Sequence, residues 1–195
     1  MTRFALLAED RSDVDALVVL IKRIIGQENA TISRKGFGGC GELRRKAHSH
    51  IAEFSRQGAT HFIICHDSDR STPQDVRDKV IAAIKAKIPL DFDHMIVVPV
   101  QELEAWIIAD EAAIHTAIPS LTINPVAKPE EINDPKEWLI RQSQVGRSKP
   151  LYSPATFNAK VAGHLEIDKV KKKCNSFNEL VDYLQEAIKP RKSAK

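Results

Sequence analysis

Long apolar runs are missing from this chain. No stretch approaches the ~20 consecutive apolar residues that a membrane-spanning helix needs, and the opening MTRFALLAED meets an acid too early to supply a signal-peptide core. The expectation is a cytoplasmic protein with no membrane partner. Cysteine is scarce: Cys40, Cys65 and Cys174 form an odd, scattered set with no C-x-x-C spacing, which argues against a disulfide framework and a zinc site and for buried thiols. His48, His50, His61, His66 and His94 show no H-E-x-x-H or comparable ligand spacing. Disorder is excluded as well, because 43% hydrophobic and 28% charged residues over 195 positions describe an ordinary globular chain, long enough for one well-buried core and a small appendage.

What is present is distributed unevenly. The formal charge is +3, yet residues 160–195 carry +4 and residues 1–159 the remaining −1. A basic end beside a neutral-to-acidic body can attract a polyanion at long range, or its lysines can simply be solvated.

Apolar periodicity sets out an alternating order. Phe4–Ala8 reads as a strand buried on both faces. Ser12 with Asp15 then fits an S-x-x-D cap before a helix carrying Val14, Leu17, Val18, Ile21, Ile24 and Ile25, which Gly26 ends. A strand over 30–34, a glycine-rich turn over 36–41 and a helix marked by Leu43, Ala47, Ile51 and Phe54 follow. His61–Cys65 is the third strand, and Pro73 opens the next helix with Val76, Val80, Ile84 and Ile88 inward. Met95–Val100 is the fourth strand, with a helix over 101–110. Strands alternating with helices predict an α/β, Rossmann-like open parallel sheet of about four strands with helices on both faces. Beyond Asp110, prolines at 119, 125, 129 and 135 predict a helical extension over 111–195 packed on a 1–110 core. Short helices are expected over 136–144 and 155–161, and a last one is capped by Ser176 and striped by Phe177, Leu180, Val181, Leu184 and Ile188 before a frayed, basic PRKSAK end.

In a parallel sheet, ligands bind beyond the carboxyl ends of the strands, and the acids stand there. Glu9 follows the first strand; Asp67 and Asp69 follow the third, two apart, so in extended geometry both carboxylates point to one side. Adjacent like charges need a cation or a shared proton. Carboxylate oxygens without cysteine or paired histidine suit Mg²⁺ or Mn²⁺, ions that also bind phosphate oxygens. Glu102 and Glu104 follow the fourth strand, but their i,i+2 spacing prevents a helix from aiming both alike, so at least one is expected to face solvent. Asp13 can extend the cluster, although a helix-dipole role already explains it. His66 is the one histidine near enough to the acids to transfer a proton. Arg34, Lys35, Arg44 and Arg45 flank the glycine turn and can hold a nucleic-acid phosphate; Lys171 and Lys172 offer a second such grip or a solvated surface. The turn itself lacks a Lys-Ser/Thr continuation and does not fit a P-loop. Trp106 lies in an apolar run and is expected in the core.

Glu9 in LLAEDRSD, followed later by Asp67 and Asp69 in FIICHDSD, resembles the TOPRIM fold of topoisomerases, primases and OLD-family nucleases. The blocks QELEAWIIAD at 101–110 and CNSFNEL at 174–180 are similar to those of a small stand-alone bacterial TOPRIM-like family often considered with OLD-type ATPases in phage defence. One position departs from the pattern: the usual glycine after the first acid is Asp10 here. The resemblance implies that Glu9 binds metal or acts as general base, that Asp67 and Asp69 hold Mg²⁺, and that Glu102 or Glu104 completes the acidic pocket.

The expected activity is therefore metal-dependent hydrolysis of DNA or RNA phosphodiesters, in phage defence or DNA repair with an OLD/ABC-type ATPase as partner. A second class stays open: a non-catalytic or partner-activated subunit that binds nucleic acid or an ATPase through its lysine-rich end. An aspartyl-phosphatase reading fits less well, because such families place D-x-D after the first strand.

Overall fold

The structure is a computed structural model that describes residues 2–189; the basic PRKSAK end lies outside the described residues. Four strands form one sheet: β1 (Phe4–Ala8), β2 (Ile32–Gly36), β3 (His61–Cys65) and β4 (Asp93–Val97). All pair in parallel, in the spatial order β2-β1-β3-β4. Helices α1 (Arg11–Ile25), α2 (Cys40–Arg56) and α3 (Pro73–Lys85) separate them. The chain then continues through α4 (Glu104–Ile108), α5 (Glu111–Ala117), a 3-10 turn at Pro129–Glu131, α6 (Pro135–Gln144), α7 (Pro154–Ala162), α8 (Ile167–Lys173) and α9 (Asn175–Ala187).

Alternate strand residues point to opposite faces of a sheet, and here both faces are buried. Phe4, Leu6, Ala8, Ile63, Cys65 and Val97 join Leu17, Ile21, Trp106, Val161 and Leu180 in one apolar cluster. Ala5, Leu7, Phe62, Ile64 and Ile96 join Leu43, Ile51, Val76 and Val80 in the other. The α/β architecture expected from the alternation is thus present, with α2 and α3 on one face and α1 and the C-terminal helices on the other. Trp106 is fully buried, and its indole N–H donates to Ser176 Oγ at 2.8 Å. No helix among the described residues is long and apolar enough to cross a membrane.

Several local expectations shift for identifiable reasons. Asp10, not Ser12, caps α1: its Oδ1 accepts from the Asp13 N–H at 3.0 Å and from Ser12 Oγ at 2.8 Å. Its φ of −137° is open to any residue, so the loop geometry does not call for glycine there. A glycine is needed across the gap instead, because a Cβ on Gly36 would lie 2.8 Å from the Asp10 carbonyl oxygen. Strand β2 begins two residues later than the periodicity indicated. The helix expected over 101–110 contracts to α4, with Gln101 at φ 63° breaking its start. Ser176 lies inside α9 and is buried, donating to Glu130 Oε1 at 2.5 Å rather than capping the helix.

Candidate functional site

The chain runs from β1 outward to β2, then returns to place β3 on the other side of β1. The crevice beyond the carboxyl ends of β1 and β3 is therefore the sheet's switch point, the place where such folds bind ligands. Ala8 pairs with Cys65 in the register, so the next residues of the two strands face each other across it. The Asp67 N–H donates to Glu9 Oε1 at 2.9 Å, and His66 Nδ1 lies 2.8 Å from the same oxygen and 2.7 Å from the Asp67 carbonyl. Glu9 is held by two donors from the β3 end. Burial disfavours the charged imidazole, but the hydrogen bond and charge of Glu9 raise the His66 pKa above its ordinary value. His66 is 5% exposed and its Nε2 has no hydrogen-bond partner.

Around this pair the acids converge. Asp13, on the first turn of α1, is buried at 5% exposure; burial first, then Asp10, Glu104 and Glu9, push its carboxyl up to about 8. Helix-dipole stabilisation alone does not account for its placement. Burial and the neighbouring Asp13, Glu104, Glu9 and Glu102 push Asp67 far above the usual carboxylate range, and its Oδ1 is shielded from solvent with no partner.

The segment after β4 and the C-terminal helices complete the cluster. Glu104 is buried, accepting from Asn158 Nδ2 at 3.0 Å, while the Tyr152 hydroxyl donates to Asn158 Oδ1. Burial raises the Glu104 pKa, against the opposing donor from Asn158. Glu102 is half-buried, and its Oε2 accepts from the backbone N–H of Lys136 at 2.9 Å. Both glutamates are thus turned inward, because Glu102 precedes α4 instead of sharing its regular spacing. The Lys136 ammonium is half-buried; desolvation works against its charge, but Glu104, Glu102, Asp10 and Asp13 together raise its pKa. Lys136, Asn158 and Tyr152 escaped the sequence reading: nothing in a proline-broken, weakly periodic segment signals that its side chains reach the strand ends.

Asp69 is placed differently from Asp67. Its φ is 45° and that of Arg70 is 67°, so the backbone leaves the extended form and the two aspartates do not point alike. Asp69 is exposed at the rim, where burial and Glu9 raise its pKa. There Asp69, Arg70, Gln101, Glu102, Asn133 and Asp134 line a pocket of about 240 Å³. Three hydrogen bonds tie its two loops together: Asp69 N–H to the Gln101 carbonyl (3.3 Å), Arg70 N–H to Gln101 Oε1 (3.2 Å) and Gln101 N–H to Ser68 Oγ (2.6 Å).

The candidate phosphate-binding cations spread out. Arg44 is half-buried, and its charge is felt at His66. Arg45 is exposed, Arg34 lies 3.9 Å from Asp15, and Lys35 sits 5.8 Å from the Phe37 ring centre. Lys171 and Lys172 line a separate surface depression together with Asp168, Asn178 and Asp182. The glycine-rich turn serves its own helix, since the Gly38 N–H donates to Glu42 Oε2 at 2.7 Å.

Among the described residues no group of three or more His, Cys, Asp or Glu side chains is arranged to hold a metal ion. The fit to a cation is one of donor chemistry: all-oxygen donors and an orphaned Asp67 oxygen suit a hard divalent ion, whose charge would favour the ionised form that burial opposes. The cluster supplies such donors without presenting a finished coordination shell.

Residues 8–185 match the family model described as a domain of unknown function, DUF4276, and the chain belongs to that family. Neither the curated proteins nor the solved structures give a match.

Proposed function

We propose that the protein is a Mg²⁺- or Mn²⁺-dependent nuclease acting on DNA or RNA phosphodiesters, with a TOPRIM-like sheet as its scaffold. The observation that carries this reading is the meeting of Glu9 and Asp67 at the β1/β3 switch point, backed by buried Asp13 and Glu104 and by an Asp67 oxygen without a partner. Independent surface acids would have no reason to be drawn together under burial that penalises their charge.

Asp67, Asp13 and Glu104 would hold the ion, with Asp69 at the rim. The bound ion would polarise the scissile phosphate and lower the pKa of a water molecule. Glu9 accepts the proton of the attacking water, its orientation set by the Asp67 N–H and His66. His66, with Nδ1 against that same oxygen and the Asp67 carbonyl, keeps Glu9 in place for this step. Lys136 supplies positive charge beside the acids, offsetting the repulsion that a phosphodiester meets there. A cytoplasmic setting and an OLD/ABC-type ATPase partner in phage defence or DNA repair belong to the same proposal.

One observation favours a partner-activated form of this reading: burial raises the pKa values of Asp13, Asp67 and Glu104, so an ion would have to compete with protons for these carboxyls. The test is cleavage of plasmid, single-stranded DNA and tRNA with Mg²⁺ or Mn²⁺ by the wild type and by Asp67→Ala/Asp69→Ala. Cleavage lost in the variant supports the nuclease; equal cleavage by both contradicts it. Absence of cleavage by both, with Mn²⁺ still bound by the wild type, leaves the partner-activated form.

A further inference from the structure

We propose that Arg70 receives a nucleic-acid phosphate at the mouth of the acid cluster, and that Asp134 occupies its guanidinium until the polyanion arrives. The inference deepens the nuclease reading and rests on it for the class of ligand, but it reads out through binding.

A polyanion approaching this many carboxylates needs a cation at the entrance. Of the residues lining the rim pocket, Arg70 alone is basic. Its direction is set by the loop rather than by its own exposed side chain. Asp69, Arg70 and Gln101 all lie at positive φ, a conformation that residues with side chains rarely adopt, and their mutual hydrogen bonds hold them there.

Arg70 Nη2 donates to Asp134 Oδ1 at 2.9 Å, with the two side chains 73% and 48% exposed. A carboxylate meets a guanidinium with the same planar fork that a phosphate uses, and an exposed pair of this kind is weak. Asp134 also has an alternative partner. It occupies the N-cap position of α6 but makes no capping hydrogen bond, the role in which aspartate is among the preferred residues. Displaced from Arg70, its carboxylate can accept from the Glu137 N–H in the first turn of its own helix, Pro135 having none and the Lys136 N–H being held by Glu102. The same acid therefore excludes weak anions and yields to a phosphodiester that engages both the metal-site acids' neighbourhood and Arg70.

The experiment is fluorescence anisotropy with short labelled single-stranded DNA and RNA of one sequence, in EDTA, so that neither metal nor cleavage enters. Asp134→Asn is expected to tighten binding about three- to tenfold. Arg70→Gln is expected to weaken it about tenfold and to lower the salt dependence by about one phosphate contact, with Arg70→Lys recovering part of the loss. The double variant should match Arg70→Gln, because Asp134 acts only through Arg70. Both substitutions lie on the surface and leave the core untouched. Unchanged affinity in Asp134→Asn and Arg70→Gln, or no binding by the wild type and Asp134→Asn alike, would overturn the assignment. These shifts without any cleavage in Mg²⁺ would support Arg70 as a phosphate-binding residue while removing the reading of the protein as a nuclease active on its own.

Discussion

Glu9 Oε1 accepts the backbone N–H of Asp67 at 2.9 Å, so the acid that follows β1 is oriented by the backbone that continues β3. The same oxygen lies 2.8 Å from His66 Nδ1, which couples the two strand ends electrostatically.

Glu9→Gln keeps an acceptor for the Asp67 N–H but removes the charge. The His66 midpoint, followed by NMR, is expected above 6.5 in the wild type and lower in the variant, since Glu9 does most to raise it against burial, with the Asp67 carbonyl adding to it. A folded pKa above the unfolded value adds stability that is fully present below about pH 6.5 and fades as pH rises through the folded midpoint. That portion of the pH dependence should shrink in Glu9→Gln. Cleavage should fall about 100-fold or more if Glu9 is the base.

Asp13→Asn should stabilise the protein. The carboxyl moves from 3.8 to about 8 on folding, so its cost is absent below about pH 4 and grows until about pH 8. Thermal melts are expected to coincide at pH 4 and to separate progressively toward pH 8, with the variant melting at least about 5 °C higher there. A variant that is less stable at pH 8 would show that Asp13 is charged and compensated in the fold.

Asn158→Leu strands two buried partners, the Tyr152 hydroxyl and Glu104. The expected loss is about 2–3 kcal/mol in urea unfolding, against about 1 kcal/mol for Tyr152→Phe, which leaves the Asn158–Glu104 bond in place.

Binding of Mn²⁺ should release protons. Asp13, Asp67 and Glu104 have raised pKa values and must ionise to act as ligands, so apparent affinity should climb from pH 6 to pH 8. Titration calorimetry in buffers of different ionisation enthalpy measures the protons directly; binding heats independent of buffer would contradict it.

The sheet and the primary acids were legible because each rests on local pattern. Leu6 and Ile63 sit in short apolar runs; Glu9 follows the first directly and Asp67 follows the second after His66. Asp13 was visible at a helix start, but its burial was not, since that depends on α7 and Glu104 closing over α1. Lys136 and Asn158 come from helices whose approach to the strand ends is decided by packing across the whole chain. The bend at Asp69 is also tertiary, imposed by Gln101 from the neighbouring loop, and no neighbour in sequence announces it. Gly36 shows the converse: a residue read only as the start of a glycine-rich turn is required by the close approach of Asp10.

The most direct test of the central claim is cleavage of plasmid, single-stranded DNA and tRNA in Mg²⁺ or Mn²⁺, with the wild type beside Asp67→Asn. That substitution removes the ionisable carboxyl while conserving shape and the backbone N–H to Glu9. Metal-dependent cleavage by the wild type, with loss of at least ~100-fold in the variant and an unchanged or higher melting temperature, is the predicted result. Equal cleavage by both proteins would contradict the assignment of Asp67 and Glu9 as the heart of a metal-dependent nuclease.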